Sequence, residues 1–322
     1  MNGCPYGFII RGATREARHV VIATDALVGY ATLDKRAKVE QEAYLSAFQF
    51  GEDFRQHLQA TGSTRHFGGT CWSPWLWFDI DREGNIEQAQ RDAQRLAMQL
   101  IYRYSLDDDE VWIFFSGSKG FHLGLPTAIW SPQPSDQFHL VARRFCERMA
   151  EHAGVVIDKG VYGNVQAFRA PNSRHPKTGL HKRPLSHREL LHLSAEKVRE
   201  LAKSPLDVEV PTTNSTSELA LSDWQKAKEA IERQETAANE RKLGSGPASL
   251  NKLTLDIIRD GTLMLPGNRH RLLFSAARNL AEFGCPEELA HALLNEAGLD
   301  AGLMPKEVRR QITCGIKGGS NS

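Results

Sequence analysis

Residues 75–84 read WLWFDIDREG: a hydrophobic run with two tryptophans that closes on two aspartates one residue apart. Strand side chains alternate between faces, so Trp75, Trp77, Asp79 and Asp81 share one face while Leu76, Phe78 and Ile80 take the other. Elements of alternating type follow. Ile86, Ala89, Ala93, Leu96, Leu100, Ile101 and Tyr104 recur at helical spacing and predict a helix over Ile86–Tyr104. VWIFF (111–115) and FHLGLP (121–126) predict two strands joined by SGSKG. A second helix starts near Ser135, carries Phe138, Val141, Ala142, Phe145 and Met149, and stops at Gly154. A fourth strand region spans about Val155 to Phe168.

The order βαββαβ is that of a ferredoxin-like, RRM-like α+β core. Both helices of such a unit cover one face of its sheet, and the apolar set Leu76, Phe78 and Ile80 must meet them. Asp79 and Asp81 are left on the other face, where they repel each other unless a cation stands between them. The first strand is central in this topology. His122 on the third strand therefore stands on the acid face, and the fourth strand region brings Asp158 to the same edge.

Carboxylates suit Mg²⁺ or Mn²⁺, ions that keep waters and bind substrate phosphates. Phosphoryl or nucleotidyl transfer follows, with one ion activating the attacking oxygen and another steadying the pyrophosphate. Ser116 and Lys119 of SGSKG then form a triphosphate cradle before His122. From Lys159 to Arg188 there are seven Lys or Arg residues and no Asp or Glu, which suggests a local anion site. Within that run FRAPNSRHPKTGLHKRPL offers Arg169, Asn172, Ser173, Arg174 and Lys182 as further donors. For Trp75 and Trp77, stacking on bases and cover by the N-terminal segment both remain open.

The motifs DID (79–81), SGSKGFH (116–122) and VID (156–158) resemble those of the archaeo-eukaryotic primase superfamily, and FRAPNSRHPKTGLHKRPL looks like the segment after the third motif in primases of bacterial plasmids, phages and related mobile elements. The resemblance covers about Trp75 to Leu185. It implies that Asp79, Asp81 and Asp158 hold metal and that Ser116 and His122 contact the nucleotide's phosphates. GNRHRLLFSAARNLAEFG is similar to the helical domain that often follows such cores.

The expected division is a catalytic domain over 1–203, with N-terminal helical additions from Asp25 to about Thr61, then a linker and charged helix over 204–249, and a helical domain over 250–318. Three helices are expected in the last: Asn268–Phe283, Pro286–Ala297 and Pro305–Ile316, with Gly284 and Gly298 as stops. Arg269, His270 and Arg271 at the first of them are candidates for an initiating nucleotide or the template, because a helix start favours anions.

A charged fraction of 25% and a net charge of +1 exclude a wholly disordered chain. The five cysteines show no zinc-ligand spacing and read as reduced thiols of a cytoplasmic protein; no apolar run is long enough to span a membrane. No GxxxxGK[ST] motif is present, so a separate replicative helicase is an expected partner, beside single-stranded DNA and nucleoside triphosphates. The expected function is primer synthesis. A gap-filling polymerase that extends without initiating is the enzymatic alternative, and a non-catalytic nucleic-acid-binding replication protein the other; uncompensated carboxylates on the binding face count against the latter.

Overall fold

The computed structural model describes residues 3–12, 18–243, 250–261 and 268–319. Two compact units divide the chain, 1–235 and 236–322. The GSGPAS patch (244–249) and Gly267 lie outside the described residues.

In the first unit β6 (Trp75–Asp81), α3 (Ile86–Tyr104), β7 (Trp112–Phe115), β8 (Gly120–Pro126) and α4 (Phe138–His152) follow the expected order. α3 starts where Asn85 Oδ1 accepts from Gln88 N at 3.0 Å. It ends at Ser105, which adopts a left-handed backbone with φ 54°. Leu76, Phe78 and Ile80 are buried, and α3 and α4 pack against the β6 face that carries them.

The fold is α+β, and its fourth strand departs from the ferredoxin-like pattern. Sheet order is β10 (Arg183–Leu185)–β7–β8–β6, antiparallel throughout. Val155–Asp158 runs beside β6 through one backbone bond, Asp158 N to Asp79 O at 2.8 Å, and forms no ladder there. A 3-10 turn, Lys159–Tyr162, follows directly. The strand beyond it, β9 (Ala167–Arg169), joins a different sheet.

That second sheet corrects the expectation for the N-terminal segment. β1 (Tyr6–Arg11), β2 (His19–Ile22), β3 (Ala43–Ser46), β4 (Gln49–Phe50) and β5 (Cys71–Trp72) surround two helices, α1 (Ala23–Ala31) and α2 (Glu52–Thr61). Its order is β5–β4–β1–β3–β9, with β2 also on β1. Asp25–Thr61 is therefore helical only at its ends. Its strands are two to four residues long and pair with distant partners, so no local periodicity marks them. This sheet faces the tryptophan end of β6: the ring centroids of Trp77 and Phe168 are 5.3 Å apart, and Trp75 and Trp77 are buried. Cover, not an open stacking platform, is what the tryptophans have.

α5 (His187–His192) and α6 (Ala195–Leu201) follow β10, and α5 opens on a capping box between Ser186 and Glu189. The segment Ser204–Ser217, expected as a linker, is a strap on the first unit. Leu206 N donates to Asn172 Oδ1 at 2.9 Å, Val208 N to Ala31 O at 3.1 Å and Ser217 N to Ile129 O at 2.8 Å. α7 (Glu218–Leu243) then inserts Trp224 among Trp130, Phe138 and Phe145. Pro, Ser and Thr mark irregular backbone, which need not be mobile backbone.

The second unit holds α8 (Lys252–Asp260), α9 (Arg269–Glu282), α10 (Glu287–Asp300) and α11 (Pro305–Gly319) around Leu273, Leu294, Val308 and Ile312. α8 was not anticipated. Gly298 is no stop: it lies inside α10, where an added Cβ would come 2.9 Å from both Val308 methyls. Among the described residues no helix is long and apolar enough to cross a membrane.

Candidate active site

The register of β6 against β8 sets the site. Asp79 pairs with His122 and Asp81 with Gly120, so the two acids and the histidine share the face away from α3 and α4. Gly120 is required by close approach, since a Cβ there would stand 2.2 Å from both Asp81 Oδ1 and Ile80 O. The turn before it is closed by Ser116: its N–H donates to Gly120 O at 2.9 Å, and its Oγ accepts from Gly120 N at 3.2 Å. Gly117 supplies the left-handed step, with φ 86°.

Asp158 reaches the same place from the segment beside β6. That segment is tied to β6 and its flank by Asp158 N on Asp79 O, Arg82 Nη2 on Val156 O at 2.9 Å, and the buried Tyr162 hydroxyl on Trp77 O at 2.7 Å. Asp79, Asp81, Ser116, Lys119, His122, Asp158 and Arg169 consequently line one open cleft. Tyr44, Gln166 and His175 line it too, and sequence reasoning missed them. His175 was in plain view inside FRAPNSRHPK; Tyr44 was hidden by the helical reading of its segment.

The carboxylates differ in surroundings. Burial alone would raise the Asp79 carboxyl, but His122 and Lys182 more than offset it and hold it below the ordinary aspartate range. His122 Nε2 is 3.4 Å from Asp79 Oδ1, a buried oxygen that accepts no hydrogen bond. For Asp81, burial and the neighbouring Asp79 charge push the carboxyl up, and Lys119 offsets them only in part. Burial lowers the His122 pKa, and the neighbouring Asp79 charge offsets this only in part. His122 is almost enclosed, with its ring 4.5 Å from that of Phe168.

Among the described residues no three His, Cys, Asp or Glu side chains stand close enough to hold one metal ion as they are. Asp81 faces Lys119, and Asp158 Oδ1 accepts from Gly160 N at 2.8 Å. The donor set nonetheless fits a hard divalent cation. All three candidate donors are carboxylates on one cleft, they repel one another, and Asp79 retains an unpartnered oxygen.

The basic run divides. Arg169 lines the cleft: one Nη donates to Tyr44 Oη at 2.9 Å, and the other is buried without a partner. Asn172, Ser173, Arg174 and Lys182, expected as nucleotide donors, do not lie on the cleft with it. Asn172 Nδ2 donates to the carbonyls of Tyr30, Ala31 and Leu206, and Ser173 Oγ to those of Ala43 and Ala170. Arg174 Nε donates to Gly179 O. Lys182 is fully buried, its Nζ 2.8 Å from Arg169 O and within 5.0 Å of the Trp77, Phe114 and Phe168 ring centres. Burial drives its pKa well below that of an ordinary lysine.

In the second unit Arg269 Nη1 donates to Ala301 O at 2.8 Å, His270 Nδ1 is buried without a partner and Arg271 is exposed. Arg269 thus satisfies a carbonyl at the end of α10.

No family model matches the chain, and no curated protein does. Among solved structures, the crystal structure of primase RepB' aligns over 100% of this chain and 91% of that one, at 13% identity and a TM-score of 0.37. A likeness so slight assigns no role to any residue here.

Proposed function

We propose that this chain is a nucleotidyltransferase of the primase kind, which joins nucleoside triphosphates on single-stranded DNA in replication. The observation that carries the reading is the cleft itself: Asp79, Asp81 and Asp158, from two separate segments, line it together with Ser116 and Arg169. The resemblance of DID, SGSKGFH and VID to the archaeo-eukaryotic primase motifs supports the same chemistry.

Mg²⁺ or Mn²⁺ bound to the three carboxylates would supply the charge that activates a 3′-hydroxyl and steadies the leaving pyrophosphate. The chain's own residues do the rest. Arg169, ion-paired with Glu42 at 3.5 Å, brings a guanidinium with one unpartnered buried Nη to the wall that Tyr44 also lines, a charge suited to a phosphate oxygen. Ser116 fixes the turn with its Oγ lone pairs and keeps its hydroxyl proton to donate. His122, wedged against Phe168, stands beside Asp79. Unwinding of the template falls to a separate replicative helicase, and the site of action is the cytoplasm.

The test is de novo synthesis on an unprimed single strand, with ribo- and deoxyribonucleoside triphosphates in separate reactions and Mg²⁺ or Mn²⁺ present. Wild-type protein yields short products; Asp79→Asn and Asp158→Asn lower the yield by about a thousandfold or more, since each removes ligand charge worth several kcal/mol. Extension of an annealed primer without any initiation would make the protein a gap-filling polymerase. Template binding with no synthesis at all would make it a non-catalytic replication protein.

A further inference from the structure

A cation already stands where the carboxylates crowd. Lys119 Nζ lies 3.4 Å from Asp81 Oδ2 and 3.0 Å from Glu83 Oε2. Its backbone is anchored, because Lys119 O accepts from Arg82 N at 3.2 Å. The side chain is not: it is 46% exposed, and Glu83 is 88% exposed. Lysine is a point charge on a flexible four-carbon stem, and an ion pair this exposed breaks at little cost.

Charge balance gives the pair a consequence. A divalent ion bound by Asp81 would meet the ammonium at close range and be repelled. A metal-bound triphosphate reverses the sign of the neighbourhood, and the same ammonium becomes complementary to it. Lys119 and Ser116 border one cleft with Asp81, so a rotation of the lysine stem changes partners without moving the backbone.

We infer that Lys119 is an exchangeable internal counter-ion, neutralising Asp81 while no metal is bound and passing to the nucleotide's phosphates when a divalent cation takes the carboxylates. The inference rests on the proposed function for the identity of the incoming anion. Lys119 is thereby a competitor of the metal and a partner of the nucleotide, two roles with opposite signatures.

The experiment titrates Mn²⁺ alone into the full chain, reading free Mn²⁺ by electron paramagnetic resonance at fixed pH and ionic strength, and separately measures the nucleotide KM. Lys119→Met is expected to tighten Mn²⁺ about two- to fivefold, what loss of an exposed ion pair is worth. The same substitution is expected to raise the nucleotide KM about tenfold or more. Lys119→Arg, whose planar fork grips a carboxylate harder, binds Mn²⁺ no more tightly than wild type. Mn²⁺ binding in Lys119→Met as weak as in wild type, or weaker, overturns the exchange; if Asp81→Asn still abolishes that binding, the reading of the cleft survives. Wild-type protein that binds no Mn²⁺ overturns both.

Discussion

Asp158 donates its backbone N–H to the carbonyl oxygen of Asp79 at 2.8 Å, so the two segments that carry the cleft's acids meet through a main-chain bond. The separation of their carboxylates is then governed by whatever keeps the Asp158 segment against the edge of β6. The Tyr162 hydroxyl, four residues on, holds it there through the carbonyl of Trp77.

Tyr162→Phe should therefore loosen the site without touching it. Loss of one buried hydrogen bond costs about 1–3 kcal/mol, read as a lower midpoint in urea. Synthesis should fall in kcat at saturating nucleotide, with Mn²⁺ binding weakened. A variant that loses stability but keeps wild-type kcat and Mn²⁺ affinity would show that the Asp158 segment needs no such anchor.

Asp81 provides a prediction whose sign follows from its surroundings. Its folded-state carboxyl is raised by burial and by Asp79, so the folded protein holds a proton more tightly there than the unfolded chain does. Deprotonation of Asp81 is thus destabilising, and stability contributed by the protonated form is lost as pH rises through the raised value. Asp81→Asn should melt at a higher temperature than wild type at pH 7 while losing synthesis. The gain should disappear at pH values below the ordinary aspartate range, where the wild-type carboxyl is neutral too. Melting curves across pH check this; a variant less stable than wild type at pH 7 would mean that the bond to Lys119 outweighs the repulsion.

Asn172 separates a framework residue from a ligand-binding one. Its amide group joins α1, the strap and the segment after β9, with its nitrogen on three carbonyls and its oxygen on Leu206 N. Asn172→Ala should cost about 2–4 kcal/mol of stability, since several buried backbone groups lose partners. In the fraction that folds, the nucleotide KM should be that of wild type. A raised KM with unchanged stability would return Asn172 to the binding surface.

How far these features were legible depends on the range of the interactions behind them. β6 and α3 are delimited residue for residue by their own periodicity, because one face of each meets the same core. The acid face follows from that alternation together with the tight turn SGSKG. Asp158 is different: its segment makes a single bond to β6 and then turns, a geometry set by Tyr162 and Arg82 that no pattern of apolar residues announces. The donors of the basic run were read by charge and polarity alone. Asn172, Ser173 and Lys182 are polar because buried carbonyls need donors, a demand invisible until α1 and the strap are in place.

Trp224 belongs to the core of the first unit, beyond the expected end of the catalytic domain at residue 203. It is buried at 6% exposure, with ring centres 5.1 Å from Phe138, 5.6 Å from Trp130 and 5.9 Å from Phe145. Its neighbour Asp223 accepts from Arg103 Nε at 2.8 Å and from the Tyr104 hydroxyl at 3.2 Å, which fixes the start of α7 to the end of α3. A chain cut near Arg199 would uncover that aromatic cluster, and α4 packs against the strand that carries Asp79. Trp224→Ala in the full chain should cost about 3–5 kcal/mol, as removal of a large buried aromatic side chain does. The loss should appear in denaturant unfolding of the first unit and depress primer extension and initiation together, through the folded fraction. Were initiation lost and extension kept, with the urea midpoint unchanged, the start of α7 would belong to the apparatus that begins a chain and not to the core beneath the sheet that carries Asp79 and Asp81.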